Sequence, residues 1–77
     1  MAATTIFSYS GDYITLGQFL KASNLAQSGG EAKEMLASGA VLVNAETEIR
    51  RGRKLRHGDI VRLGHDQWQI ISRSQMA

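Results

Sequence analysis

The chain has 77 residues, 43% apolar and 21% charged, with eight glycines and neither proline nor cysteine. One small domain over residues 1–77 is expected, burying only roughly 60% of the surface its unfolded form exposes and leaving little room for an enclosed substrate cavity. The absence of cysteine removes disulfide frameworks and thiolate zinc sites, and the apolar runs fall far short of the ~20 residues that cross a bilayer, so a soluble cytoplasmic protein is expected.

The net charge is nine basic minus seven acidic residues, or +2, but it is unevenly placed. Residues 50–62 hold six basic residues and one acidic residue, or +5, and the remainder holds three basic and six acidic, or -3. A concentrated positive patch inside a near-neutral chain suits a polyanion with closely spaced phosphates.

In chain order, Ile6 to Tyr9 is a weak β-prone stretch followed by turn composition at Ser10-Gly11-Asp12. Met1 to Thr4 and about Ser72 to Ala77 are expected to fray. Thr15-Leu16-Gly17-Gln18 reads as a capping box, and Leu16, Phe19 and Leu20 at i, i+3 and i+4 form one apolar stripe of a helix that stops near Ala22 to Asn24. Ser28-Gly29-Gly30-Glu31 is a second capping box, leading to Ala32, Met35 and Leu36 at helical spacing and to Gly39 as a left-handed C-terminal cap. Leu25 is available to pack between the two helices.

After Gly39 the period changes to two. Val41 and Val43 alternate into the turn Asn44-Ala45, Ile60 to Leu63 follows the turn His57-Gly58-Asp59, and Gln67 to Ile71 follows Gly64-His65-Asp66. The fold class is therefore α+β, with two short N-terminal helices packed on a small, mainly antiparallel sheet.

Arg50-Arg51-Gly52-Arg53-Lys54-Leu55-Arg56 places five cations in seven residues. Such crowding is relieved only by solvent or an external anion, and the planar fork of arginine suits phosphate oxygens. Arg51 and Arg53 are expected to matter for binding and little for stability. The Ser28-Gly29-Gly30 turn, with helix amides and Lys33 nearby, is a possible anion contact, although Glu31 already satisfies the helix dipole and plain capping explains the turn. Tyr9 and Tyr13 could stack on an unpaired base, with a structural role favoured for both, and Trp68 is expected to face the core. His57 and His65 sit in turns without metal-ligand spacing, and Glu31, Glu34, Glu46 and Glu48 read as solvated surface carboxylates. No catalytic constellation, metal site or cofactor site assembles from these residues.

These elements, in this order, resemble the RNA-binding domain named after small-subunit ribosomal protein S-four, the alpha-L RNA-binding motif. The resemblance spans a core from Thr15 to about Leu63. Leu16 with Phe19-Leu20-Lys21 looks like the first helix, Ser28 through Glu31-Ala32-Lys33 like the start of the second, Gly39 to Asn44 like the next strand, and Leu55 with Gly58-Asp59 like the closing turn. The length and the Arg50-Arg51 to Lys54-Leu55 segment look most like the small stand-alone bacterial members. Many members are basic where this chain has Thr15, Gly29, Gly30 and Ala40, so the helical half is poorer in charge.

The resemblance implies a non-catalytic protein that recognises structured RNA, ribosomal RNA in particular, with Lys21, Ser28, Gly29, Lys33, Arg50, Arg51, Arg53, Lys54 and Arg56 as its contact residues. No membrane or small-molecule partner is expected, and a monomer is favoured. A DNA-binding protein and an adaptor for an acidic protein partner are the alternatives, the first weakened by Glu31 and Glu34 on the second helix.

Overall fold

In a computed structural model, the described residues run from Ala3 to Gln75. The strands are β1 (Ala3–Tyr9), β2 (Ile14–Thr15), β3 (Val41–Val43), β4 (Glu46–Thr47), β5 (Lys54–Leu55), β6 (Ile60–Leu63) and β7 (Asp66–Ser72), and the helices are α1 (Leu16–Ala22) and α2 (Gly29–Ala37). The sheet order is β1-β7-β6-β3-β4, with β2 and β5 forming a separate two-stranded ribbon. All pairings are antiparallel except β1 with β7, which is parallel from Ala3 opposite Asp66 to Tyr9 opposite Ser72.

The α+β class stands, with one correction: the helices are not N-terminal, because β1 and β2 precede them. Fraying also proves narrower than expected. Thr4 lies in β1 opposite Gln67, whose Nε2 donates to the threonine Oγ1 at 2.9 Å. Ser72 is buried in β7, and Arg73–Gln75 form a 3-10 turn. Met1, Ala2, Met76 and Ala77 lie outside the described residues.

The first helix starts as its residues dictate. The Thr15 amide donates to Gln18 Oε1 at 2.9 Å and the Gln18 amide to Thr15 Oγ1 at 3.2 Å, closing the full capping box. Asn24 at φ 63° then turns the chain out of α1, and half-buried Leu25 follows it into the junction. At α2 only half of the expected box forms: Ser28 Oγ accepts from the Glu31 amide at 3.1 Å. Gly39 adopts φ +80°, the left-handed conformation that ends the helix without a Cβ clash.

A Cβ at Gly39 would lie 3.9 Å from Thr47 Cγ2, an ordinary contact, so any penalty for a side chain there comes from the backbone. Gly39→Val should therefore lower stability by about 1–2 kcal/mol, since a β-branched residue tolerates left-handed backbone poorly. Thermal melting followed by circular dichroism reads this directly.

The core lies between the helices and the inner face of the sheet. Leu16, Phe19 and Leu20 of α1 and Ala32 and Leu36 of α2 are buried against Val41, Val43, Val61 and Ile70, with Leu55 joining from β5. Phe19 meets Phe7 edge-on at 4.9 Å and Trp68 at 5.8 Å, so half-buried Trp68 does pack against the core. Asn44 and Ala45 take φ 52° and 71° in the tight turn between β3 and β4. The Asn44 side chain reaches across to Asp59 and to the Ile60 amide, tying that turn to the start of β6.

Candidate nucleic-acid interface

Between β4 and β5 the chain inverts the usual pattern of burial. Glu48 is only 7% exposed, whereas Ile49, the one large apolar residue of the segment, is 64% exposed. A buried carboxylate is tolerated only when its charge is matched and its oxygens are bonded. Glu48 meets both conditions by accepting five hydrogen bonds, from the amides of Ile49 and Arg50, from Arg50 Nε and Nη2, and from Arg53 Nη1. The Arg50 side chain is the main cause that lowers the Glu48 carboxyl from its ordinary 4.5 to about 2, followed by the Arg50 amide, with Arg53 adding to them against desolvation.

The expectation that Glu48 is a solvated surface group is therefore corrected. So is the expectation that only solvent or an external anion relieves the crowded cations, because Arg50 and Arg53 share this carboxylate at 3.0 Å each. Counting Glu48, residues 48–62 carry six basic and two acidic residues, or +4. The sequence offers little warning, since Glu48 sits among exposed Glu46, Thr47 and Ile49.

The cationic segment is anchored to the first helix by backbone bonds. The Leu16 amide donates to the Arg53 carbonyl at 2.8 Å and the Gly17 amide to the Arg51 carbonyl at 2.9 Å, satisfying two donors that a helix start otherwise leaves open. Gly17 is buried beneath Arg51: a Cβ there would lie 2.5 Å from Arg51 Cγ and 3.3 Å from its carbonyl oxygen. Glycine inside a helix is roughly 1 kcal/mol less favourable than alanine. That penalty is the signal by which Gly17 could have been singled out from sequence.

The Arg51 guanidinium reaches α2, with Nη1 3.5 Å from the Gly29 carbonyl oxygen, at the outer limit for a hydrogen bond. Arg51, Lys21, Gly29 and Gly17 thus line one open groove of about 320 Å³, with Thr15 and Gln18 along its wall. Three expected contact residues far apart in sequence, Lys21, Gly29 and Arg51, converge here. Arg50, Arg53 and Lys54 line an adjoining hollow that shares Gly52 with the groove.

Other expected contacts are placed differently. Ser28 spends its Oγ on the helix cap, and Lys33 is exposed on α2 without lining the groove. Arg56 lies beyond β5 beside a separate hollow near Asp12 and His57. The His57 ring is tied into the fold, its Nδ1 accepting from the Ser72 amide at 3.0 Å. Among the described residues, no group of three or more His, Cys, Asp or Glu side chains could hold a metal ion, and no helix is long and apolar enough to cross a membrane.

A family model described as the S4 domain matches residues 7–71, nearly the whole described fold. The chain belongs to the S4 domain family. A probable ribosome maturation protein, RlbA, from Bacillus subtilis (strain 168) is 48% identical to it over 66 residues, covering 84% of this chain and 93% of that protein. The S4 match extends beyond the Thr15 to Leu63 core at both ends, taking in the end of β1 from Phe7 to Tyr9 and most of β7, the strands whose parallel pairing completes the sheet.

Proposed function

We propose that this S4 domain protein is a non-catalytic, cytoplasmic RNA-binding module that acts as a single domain on structured ribosomal RNA or on an assembly intermediate of the ribosome. The observation that carries this reading is the backbone anchoring of Arg51 and Arg53 onto the start of α1, which sets Arg51 beside Lys21 and Gly29 in one groove. The ribosome maturation named for the Bacillus subtilis relative supports the choice of RNA. A-form RNA hides its base edges in a deep, narrow groove, so a small cationic surface of this kind reads backbone shape and strand junctions more than sequence.

The alternatives are less well supported. Exposed Glu31 and Glu34 on α2 repel phosphates on the face that a DNA-reading helix would present. An acidic protein partner would satisfy the cations, but a phosphate chain matches the run of Lys21, Arg51 and the adjoining Arg50-Arg53-Lys54 hollow over a longer path.

The test is a titration of structured RNA at several salt concentrations. Log affinity should fall linearly with log salt, with a slope of roughly -0.7 to -0.9 per phosphate neutralised. Arg51→Ala should weaken binding while changing stability by less than about 0.5 kcal/mol, because its side chain is exposed. Arg53→Ala should weaken binding and also lower the melting temperature, because Arg53 is bonded to buried Glu48. A flat salt response, or full RNA affinity in Arg51→Ala, would count against the reading.

A further inference from the structure

Of the two tyrosines, Tyr9 is 6% exposed and belongs to the core, whereas Tyr13 is 41% exposed and lies outside it. Among the described phenylalanine, tyrosine and tryptophan rings, Tyr13 is the one that is exposed. It enters the β2-β5 ribbon, where Ile14 pairs with Leu55 and Thr15 with Lys54. Alternation along β5 buries Leu55 and leaves Lys54 and Arg56 on the solvent side. Both cations reach the ring of Tyr13: Lys54 Nζ stands 4.9 Å from its centroid and Arg56 Cζ 5.8 Å.

An exposed ring with cations beside it is the combination that binds single-stranded nucleic acid, the ring taking a base face and the cations the neighbouring phosphates. Lys54 also lines the hollow shared with Arg50 and Arg53, and Thr15, two residues from Tyr13, lines the Lys21-Arg51 groove. The ring therefore adjoins the ribbon that holds Thr15 of the groove and Lys54 of the hollow. Asp12 precedes Tyr13 and disfavours a phosphate on that side, leaving Lys54 and Arg56 to set the direction of the strand.

We infer that Tyr13, with Lys54 and Arg56, forms a second subsite that stacks an unpaired base beside a duplex whose phosphate backbone lies along the groove. This inference rests on the RNA-binding reading above. It makes the protein selective for duplex RNA that ends in, or is interrupted by, a single strand.

The experiment compares a blunt RNA duplex with the same duplex carrying a short single-stranded extension, at one low salt concentration, for the full chain and for Tyr13→Phe, Tyr13→Leu and Tyr13→Ala. Circular dichroism melting confirms that each variant folds, and Tyr13→Leu keeps the apolar bulk that Tyr13→Ala removes from the ribbon. The wild-type protein and Tyr13→Phe should prefer the extended duplex. Tyr13→Leu and Tyr13→Ala should lose about tenfold in Kd for it, within the range that base–aromatic stacking supplies, and little for the blunt duplex. Equal affinity of the wild-type protein for the two RNAs, or an unchanged preference in Tyr13→Leu, overturns the subsite while leaving groove binding intact. Failure to bind either RNA overturns the RNA-binding reading and the subsite with it.

Discussion

Replacing Glu48 with glutamine is expected to lower the melting temperature at neutral pH and to remove part of the protein's sensitivity to acid. Glu48→Gln keeps the shape of the side chain but loses the negative charge that Arg50 and Arg53 share. Arg50 is the main partner of the carboxylate, but its side chain is 71% exposed, so solvent screens its share of the loss. A loss of about 1–2 kcal/mol is expected, equivalent to roughly 4–8 °C of melting temperature for each kcal/mol in so small a domain.

The pH dependence has a definite direction. Because folding lowers the Glu48 carboxyl from 4.5 to about 2, its stabilisation is complete above about 4.5 and is lost as the pH falls through about 2. The gap between the wild-type protein and Glu48→Gln should be widest at neutral pH and should narrow steadily across that acid window. Parallel melting curves from pH 7 to pH 2 would show that Glu48 contributes no charge-dependent stability.

Gly17→Ala should have the opposite profile, reducing RNA affinity with little loss of stability. The added methyl meets Arg51 Cγ at 2.5 Å and presses on the Arg51 carbonyl, so the arginine must move from its place over α1. Alanine's better helix propensity, worth roughly 1 kcal/mol, offsets the strain on folding but does nothing to restore the groove. Affinity for structured RNA should fall about tenfold, or ~1.4 kcal/mol.

Non-additivity separates this mechanism from a general disturbance. In Arg51→Ala the obstructing Cγ is gone, so adding Gly17→Ala should reduce binding little further. If the two losses simply add, Gly17 affects RNA by some route other than the position of Arg51.

The parts of the fold that were legible in the sequence are those decided over short distances. Thr15 and Gln18 are three residues apart and close the cap that their types suggest, and Gly39 takes the left-handed backbone that suits it. The alternation of Val41 with Val43 likewise reports a buried face directly. The parallel pairing of β1 with β7 has no local signature, because it is set by residues at opposite ends of the chain.

The candidate site divides in the same way. The clustering of cations was plain, but their division between a groove, a carboxylate and an aromatic ring depends on the backbone bonds from Leu16 and Gly17 and on the inward turn of Glu48. Neither is encoded in a run of like charges. The two tyrosines were indistinguishable by type. Only the placement of Tyr9 in a strand that shares its inner face with Phe7 separates the buried ring from the exposed one.

The pairing of β1 with β7 also bears on how the protein is born. β1 is made before β7, and the strand that pairs with it emerges from the ribosome only after both helices and five other strands. Until then β1 lacks its one strand partner, and even in the finished sheet it remains an edge strand with Ile6 exposed. Closure at long sequence separation is slow, so the nascent polypeptide should complete its sheet late, after β7 has cleared the exit tunnel.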